Sequence, residues 1–206
     1  MIPRYKVKEV HDIWSTDNKL NTWLKVELAH LEALECSITD KTITQEELKT
    51  IKEHAKIDKN RWKEIEETTR HDVQAFVQML EESIPDNSGR WIHYGLTSSD
   101  ILDTSLVLMC KESLQVIIDY ASETCFYLNK LMKLESARSE ILARTLGKAA
   151  EVQTYFQVYK RWITSLRRGL DFVVEVKKKM NFGKMKTLSG IISLPGYSTR
   201  TQRTSY

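Results

Sequence analysis

Helix-breaking residues are scarce along this chain, and that scarcity limits the folds open to it. Seven glycines and three prolines are spread over 206 residues. No run sustains the alternation of polar and apolar side chains that marks a half-buried strand. We therefore predict an all-α fold. An N-terminal helical domain is expected over residues 1–99, and the start of a long-helix bundle over residues 100–206.

Capping residues and apolar spacing predict four helices in the N-terminal domain. Ser15 or Thr16 can cap the first, Thr44 with Glu47 forms a capping-box pattern for the second, and Asp58 can open the third. The fourth follows the sequence TTRHD. Helical spacing predicts that these helices bury one face each, namely Leu20, Trp23, Leu24, Leu28, Leu31, Leu34, Trp62, Ile65, Val73, Phe76, Val77 and Leu80.

Two long helices are predicted for the second domain. Residues 100–134 would span about 50 Å, and because their first half is apolar on nearly every face we expect burial from all sides. Residues 151–179 carry a heptad-like apolar stripe. Two long helices of one short chain cannot cover each other, so we predict an oligomer. The last residues, 193–206, hold little apolar mass and are predicted to fray.

Composition excludes several classes of partner. A net charge of +3, with basic and acidic residues interleaved, gives no basis for nucleic-acid binding. Cys36, Cys110 and Cys125 lack metal-ligand spacing and are predicted to be small buried residues in a reducing compartment. The apolar-rich run 101–120 contains four charged residues, which argues against a membrane span. No apolar leader is evident at the N-terminus, so we predict a cytoplasmic protein. We also predict that the protein uses no metal and no cofactor.

The segment 90–104, RWIHYGLTSSDILDT, concentrates groups with useful chemistry. Three consecutive hydroxyl side chains precede Asp100 and an apolar run, which is a helix-start signal. Hydroxyls and free backbone N–H groups at a helix start suit a carboxylate or a phosphate. Taken alone, the segment is better explained by Thr97 or Ser98 acting as an ordinary N-cap.

Several blocks in one order resemble the adenylosuccinate lyase family of the fumarase/aspartase superfamily. TTRHDVQAF begins at Thr68, HYGLTSSDILDT occupies residues 93–104, and WLKVE at residues 23–27 is similar to the family's opening. A third block, residues 143–151, falls where the family has RTHGQHAEP. The resemblance extends over residues 4–190 and covers the first part of a family chain.

The resemblance implies a β-elimination that expels fumarate from adenylosuccinate or from the succinylated carboxamide intermediate of purine synthesis. Such a reaction needs a base, donors that stabilise a carbanion, and an acid for the leaving nitrogen. His71 matches a histidine that contacts substrate and is the candidate catalytic residue; its alternative is a structural histidine bonded inside the helical domain. The positions implied to bind substrate are Arg4, Tyr5, Asp72, His93, Thr97 and Ser98.

The third block departs from the family pattern. Leu146 stands where the family has its acid histidine, and leucine cannot move a proton. Lys148, Ala149 and Val152 replace other residues of that block. The family's loop with the catalytic serine lies beyond residue 206. The sequence GKM at residues 183–185 echoes part of the family's GKxSG.

Two functions remain open from the sequence. The first is an adenylosuccinate lyase-like polypeptide, truncated and weak or inactive alone. It would bind a purine nucleotide or fumarate and form a homo-oligomer, or a hetero-oligomer with an intact lyase chain. The alternative is a non-catalytic helical interaction or nucleotide-binding protein derived from the same scaffold. A decayed reading frame would show the same pattern.

Overall fold

A computed structural model describes residues 2–36 and 43–185 of the chain. Within those residues the fold has seven α-helices and one hairpin of short strands, which confirms the predicted all-α class. The helices are α1 Lys8–Ile13, α2 Thr16–Glu35, α3 Gln45–His54, α4 Lys59–Thr69, α5 Asp72–Ser83, α6 Ser98–Met132 and α7 Tyr155–Lys179. Strands β1 Glu140–Thr145 and β2 Lys148–Thr154 pair antiparallel, and 3₁₀ turns occupy Pro3–Tyr5, Ser88–Trp91 and Glu135–Arg138.

The predicted helix starts in the first part of the chain are confirmed. The Ser15 hydroxyl caps α2. Thr44 and Glu47 form a reciprocal capping box on α3, in which the Thr44 N–H donates to Glu47 Oε2 at 3.0 Å. The carboxylate of Asp58 caps α4. These bonds occupy N–H donors that the first turn of a helix leaves without partners.

One apolar cluster fills the interior of the N-terminal helices. Trp23 of α2 meets Phe76 of α5 edge to face, with the ring centroids 5.4 Å apart, an arrangement that favours aromatic pairs. The residues predicted to be buried belong to this cluster, with Leu24, Leu28 and Val77 half-buried at its margin. The helical spacing therefore predicted which faces of α2, α4 and α5 pack inward.

Gly89 lies where the backbone of the 3₁₀ turn 88–91 approaches α5 closely. A Cβ at this position would lie 3.1 Å from the Cα and the carbonyl oxygen of Glu81. Backbone atoms cannot swing aside as a flexible side chain can. We expect Gly89→Ala to lower the free energy of unfolding by about 1–3 kcal/mol through overpacking, measured by urea unfolding.

Gly169 provides the matched control for that substitution. It lies inside α7, and a Cβ there would meet nothing within 4 Å. Gly169→Ala should therefore stabilise the chain by about 0.5–1 kcal/mol through helix propensity. A Gly89→Ala variant as stable as Gly169→Ala would contradict the close approach.

The described residues divide into two compact units. The first contains residues up to Met109 together with 182–185, and the second contains residues Cys110–Asn181. Helix α6 runs from one into the other, because the division falls between Met109 and Cys110 within it. The division of the chain into domains 1–99 and 100–206 stays a prediction. The segment expected to fray, residues 193–206, lies outside the described residues.

The start of the last long helix differs from the prediction. We expected a helix from residue 151, but residues 148–154 form β2, and α7 begins at Tyr155. The Thr154 hydroxyl accepts the N–H of Gln157, and the Gln157 side chain accepts the N–H of Thr154. This capping box sets the start of α7, and it is visible in the sequence as T-x-x-Q.

The long helices leave apolar surface exposed within this chain, as the sequence predicted. Leu102, Leu106 and Ile117 of α6 are exposed, and the burial of this helix from all sides by a partner stays a prediction. Ile163 is the one buried residue of α7, a helix described along its whole length. Among the described residues, apolar faces of both long helices are therefore left uncovered.

Two further expectations concern the cysteines and membranes. The three cysteines are free, and Cys125 is buried as predicted. The prediction is wrong for Cys36, which is exposed because it lies at the C-terminal end of α2, and Cys110 is half-buried. Among the described residues, no helix combines the length and the apolar character needed to cross a bilayer.

Candidate functional site

His71 begins helix α5 and is held there by its backbone and its ring. It is the N-cap of the helix, with extended φ of −142°, and its Nδ1 accepts the N–H of Gln74 at 3.2 Å. Arg70, in the left-handed region at φ 54°, ends α4 and turns the chain. The indole N–H of Trp62 donates to the carbonyl of Asp72 at 2.9 Å. The TTRHD block is therefore a hydrogen-bonded turn between two helices, with His71 exposed on it.

The hydroxyl cluster begins helix α6. Thr97 occupies the position before the helix, and its N–H donates to Oδ2 of the buried Asp100 at 2.9 Å. The N–H of Asp100 in turn donates to the carbonyl of Thr97 at 2.8 Å. The helix start is thus built by Asp100, and the side chain of Ser98 is half-buried on the first turn.

The two helix starts meet through their side chains. Ser98 Oγ lies 3.4 Å from His71 Nε2. Because Nδ1 of His71 accepts a backbone N–H, the proton of the neutral ring is on Nε2, and this N–H points at the Ser98 hydroxyl. The positive ends of both helix dipoles favour an anion at such a place.

A buried carboxylate contacts both the backbone and the ring of His93. Glu27 of α2 is 0% exposed, and its Oε2 accepts the backbone N–H of His93 at 2.9 Å. Oε1 of Glu27 lies 2.7 Å from His93 Nδ1. These contacts hold His93 at φ 63°, a conformation that a residue with a side chain adopts rarely.

His30 lies one turn beyond Glu27 on the same face of α2. Its Nε2 lies 2.8 Å from the carbonyl of Tyr94, so Nε2 carries the donating proton. Burial lowers the pKa of His30 because desolvation disfavours the charged ring, while the Tyr94 carbonyl opposes this effect. Its Nδ1 is buried and has no hydrogen-bond partner.

Arg4 and Tyr5 lie apart from these contacts. Both are exposed on the 3₁₀ turn Pro3–Tyr5, with the Arg4 guanidinium carbon 4.9 Å from the centroid of the Tyr5 ring. Within residues 2–36 and 43–185, no hydrogen bond or ion pair joins them to His71, His93 or Ser98. The structure therefore brings together His71 and Ser98, with Asp72 and Thr97 as their chain neighbours, and it leaves Arg4 and Tyr5 without such a contact.

Leu146 occupies the tip of the β1–β2 hairpin. Leu146 and Gly147 form its two-residue turn, with φ values of 50° and 78°, as a type I′ turn requires. Leu146 is 99% exposed, and Arg144 donates to the carbonyl of Gly147 at 3.2 Å. A hydrocarbon side chain at this position offers no proton to a leaving group.

Glu47 ties the segment 90–104 to the start of α3. Its Oε1 accepts the indole N–H of Trp91 at 3.0 Å and pairs with the Arg90 guanidinium. The backbone N–H of Thr44, together with the Trp91 indole, lowers the pKa of Glu47 to about 2. The same carboxylate therefore caps a helix and positions the start of the segment that leads to His93.

We expect the carboxylate of Glu47 to make the free energy of unfolding depend on pH in the acid range. A depressed pKa in the folded state means that its contribution is present above the ordinary value of 4.5 and is lost as the pH falls towards 2. Glu47→Gln should flatten the fall in urea midpoint over that range. The Arg61 guanidinium lowers the pKa of Glu82 to about 2 as well. Part of the fall in urea midpoint with pH should therefore remain in the Glu47→Gln variant. An unchanged pH profile would contradict the role of Glu47.

Sequence reasoning missed Glu27 and His30 as site residues. A signal was present, because Glu27 lies four residues from both Trp23 and Leu31, which places a charge on the buried face of α2. Buried charges need partners, and that partner is His93. The described residues contain no group of three or more His, Cys, Asp or Glu side chains that could hold a metal ion.

The sequence matches known proteins along nearly its whole length. The family model described as Lyase matches residues 4–203. Adenylosuccinate lyase of Staphylococcus saprophyticus is 35% identical over 190 residues, and that of Bacillus subtilis is 32% identical over 191 residues. Each alignment covers 92% of this chain and 43% of the relative. The chain thus spans less than half the length of these curated relatives.

Solved structures share the fold at low sequence identity. A fumarate lyase from a Mesorhizobium species superposes with a TM-score of 0.79 at 17% identity, covering 91% of this chain and 44% of that one. The β-carboxy-cis,cis-muconate cycloisomerase of Acinetobacter calcoaceticus gives 0.76 at 21%, with coverages of 91% and 44%. The 3-carboxy-cis,cis-muconate lactonizing enzyme of Pseudomonas putida gives 0.79 at 21%, with coverages of 92% and 44%.

Proposed function

Because the chain belongs to the lyase family, we propose that it is an adenylosuccinate lyase-like polypeptide that binds the succinyl group of a purine nucleotide. The substrate class is adenylosuccinate or the succinylated carboxamide intermediate of purine synthesis, and the family reaction is the β-elimination of fumarate. The curated relatives support this class, since both are adenylosuccinate lyases.

The observation that carries the proposal is the contact between His71 Nε2 and Ser98 Oγ at 3.4 Å. It joins the N-terminal ends of α5 and α6, where two helix dipoles favour a carboxylate. In the proposal, Thr97 and Ser98 bind the succinyl carboxylates and His71 donates a hydrogen bond from Nε2. Asp72 and His93 line the same pocket, and Arg4 with Tyr5 reaches the phosphate once ligand is present.

Leu146 limits what this polypeptide does by itself. The position expected to supply the acid is a fully exposed leucine at a hairpin tip, so we propose weak or absent elimination by the chain alone. A partner that holds the missing proton-transfer groups, another lyase chain, would complete the site. The second candidate function is a non-catalytic nucleotide-binding or interaction protein. Leu146 favours it, because a leucine at this position cannot act as the acid.

NMR titration tests the binding site directly. We expect millimolar fumarate or AMP to shift the amide signals of residues 97–99 and the ring signals of His71, because a few charge-assisted hydrogen bonds can supply the roughly 4 kcal/mol of a millimolar complex. His71→Ala should weaken the shifts at residues 97–99. Leu146→Ala is the matched control and should leave them unchanged. Saturating ligand without shifts at these residues would leave only a helical scaffold.

A further inference from the structure

A buried carboxylate lies beneath one of the candidate pocket histidines. Glu27 is inaccessible to solvent, and its two oxygens contact two nitrogens of one residue, the backbone N–H and the Nδ1 of His93. A backbone N–H can only donate, so Oε2 is an acceptor. Burying a carboxylate is costly unless hydrogen bonds satisfy it, and His93 provides those bonds.

The contact fixes the ring of His93 in orientation. The backbone bond holds the residue in its left-handed conformation, and the 2.7 Å contact of Nδ1 with Oε1 holds the ring. The other ring nitrogen, Nε2, is at the far end of a side chain that is 20% exposed. The nitrogen that Glu27 contacts therefore decides whether Nε2 of His93 is a donor or an acceptor.

We propose that Glu27 is a positioning residue that holds neutral His93 with its proton on Nδ1, so that Nε2 is a hydrogen-bond and proton acceptor. This inference deepens the proposed function, because it assigns a role to His93 within that site. An ionised Glu27 can only accept hydrogen bonds, so Nδ1 must donate. Nε2 then keeps a free lone pair for an N–H or O–H group of a ligand.

His71 is held in the opposite tautomer. Its Nδ1 accepts the N–H of Gln74, so the ring proton is on Nε2, facing the Ser98 hydroxyl. The two histidines thus present complementary groups, a donor at His71 and an acceptor at His93. A donor suits an ionised carboxylate, and an acceptor suits an amine N–H or a hydroxyl. A ligand that carries both groups, such as a succinylated amine, matches the pair.

Other charged groups near His93 leave this assignment intact. His30 donates from Nε2 to the Tyr94 carbonyl and faces Glu27 as a neutral ring. Glu81 of α5 interacts with His93 electrostatically, and burial raises the pKa of Glu81. The competing arrangement is a protonated Glu27 that donates to an unprotonated Nδ1, and this places the ring proton of His93 on Nε2.

Two-bond nitrogen–proton NMR correlations of the histidine rings separate the two arrangements. In the full chain without ligand, at a pH where the rings are neutral, we expect His93 to show a protonated Nδ1 and an unprotonated Nε2. His71 should show the reverse pattern in the same spectrum and provides an internal control. A His93 ring with its proton on Nε2 would overturn the proposal from the parent chain alone.

Glu27→Gln should reverse the tautomer of His93, and the loss of a merely structural residue would not produce that reversal. The glutamine oxygen must face the backbone N–H of His93, which leaves the amide NH₂ to donate to Nδ1. We therefore expect the ring proton of His93 to move to Nε2, while the His71 pattern stays as it was. A variant whose His93 keeps the Nδ1 proton would overturn the role of Glu27.

Ligand is added only after the tautomers are assigned, so that the role of Glu27 and the proposed function are tested independently. The predicted tautomers with no response to fumarate or AMP would support the role of Glu27 and count against the proposed function. A ligand response with the opposite tautomer at His93 would keep the proposed function and exclude the positioning role of Glu27.

Discussion

Purified chain should release no fumarate from adenylosuccinate above the uncatalysed background. The position expected to hold the acid histidine is Leu146, whose side chain cannot donate a proton and is fully exposed. Loss of general acid catalysis alone removes about 10²–10⁴-fold from the rate of the step that it assists. Absorbance assays of fumarate formation with homogeneous protein measure this.

The Ser98→Ala variant makes that result interpretable. Background release should be the same for the parent and for Ser98→Ala, because no chemistry passes through the site. A robust rate in the parent that Ser98→Ala abolishes would show that the chain carries a working acid elsewhere. Addition of an intact lyase chain tests whether a partner can supply the missing group.

Self-association at micromolar concentration is the second large effect that we expect. Trp162 and Phe172 of α7 are 56% and 67% exposed, and Phe126 of α6 is also exposed. Burial of these rings against a second chain would remove apolar area from water, which favours association. Light scattering and sedimentation velocity should therefore show species larger than a monomer.

Charged substitutions on α7 test the same expectation. Trp162→Lys with Phe172→Lys should move the chain towards the monomer. Thr164→Lys is the control for Trp162→Lys, because Thr164 is exposed and lies about 160° around α7 from Trp162. A parent that is a clean monomer without binding of an apolar dye would contradict this prediction, as would equal effects of the two sets of substitutions.

The helix starts could be predicted from the sequence because each depends on a few neighbouring residues. Ser15, the Thr44–Glu47 pair and Asp58 supply an acceptor for backbone N–H groups within three residues. The position of the hydroxyl cluster at the start of α6 was predictable for the same reason, although the side chain that fixes it is Asp100. Local chemistry suffices where the partners are close along the chain.

The hairpin and the buried pair of Glu27 and His93 could not be predicted in this way. The strands β1 and β2 show little alternation because most of their residues are exposed. Glu27 and His93 are 66 residues apart, and their contact exists only after α2 has packed beneath the turn at 93–94. A charged residue within an apolar helix face indicates that a hydrogen-bonding partner exists, but it does not identify that partner.

The central claim is that a succinyl carboxylate binds where α5 and α6 begin. Intermolecular NOEs between the succinyl protons of adenylosuccinate and the full chain test it most directly, because they report proximity under conditions of weak binding. We predict NOEs to the ring protons of His71 and to the β protons of Ser98. NOEs confined to other residues, such as those of the hairpin at Leu146, would contradict the claim.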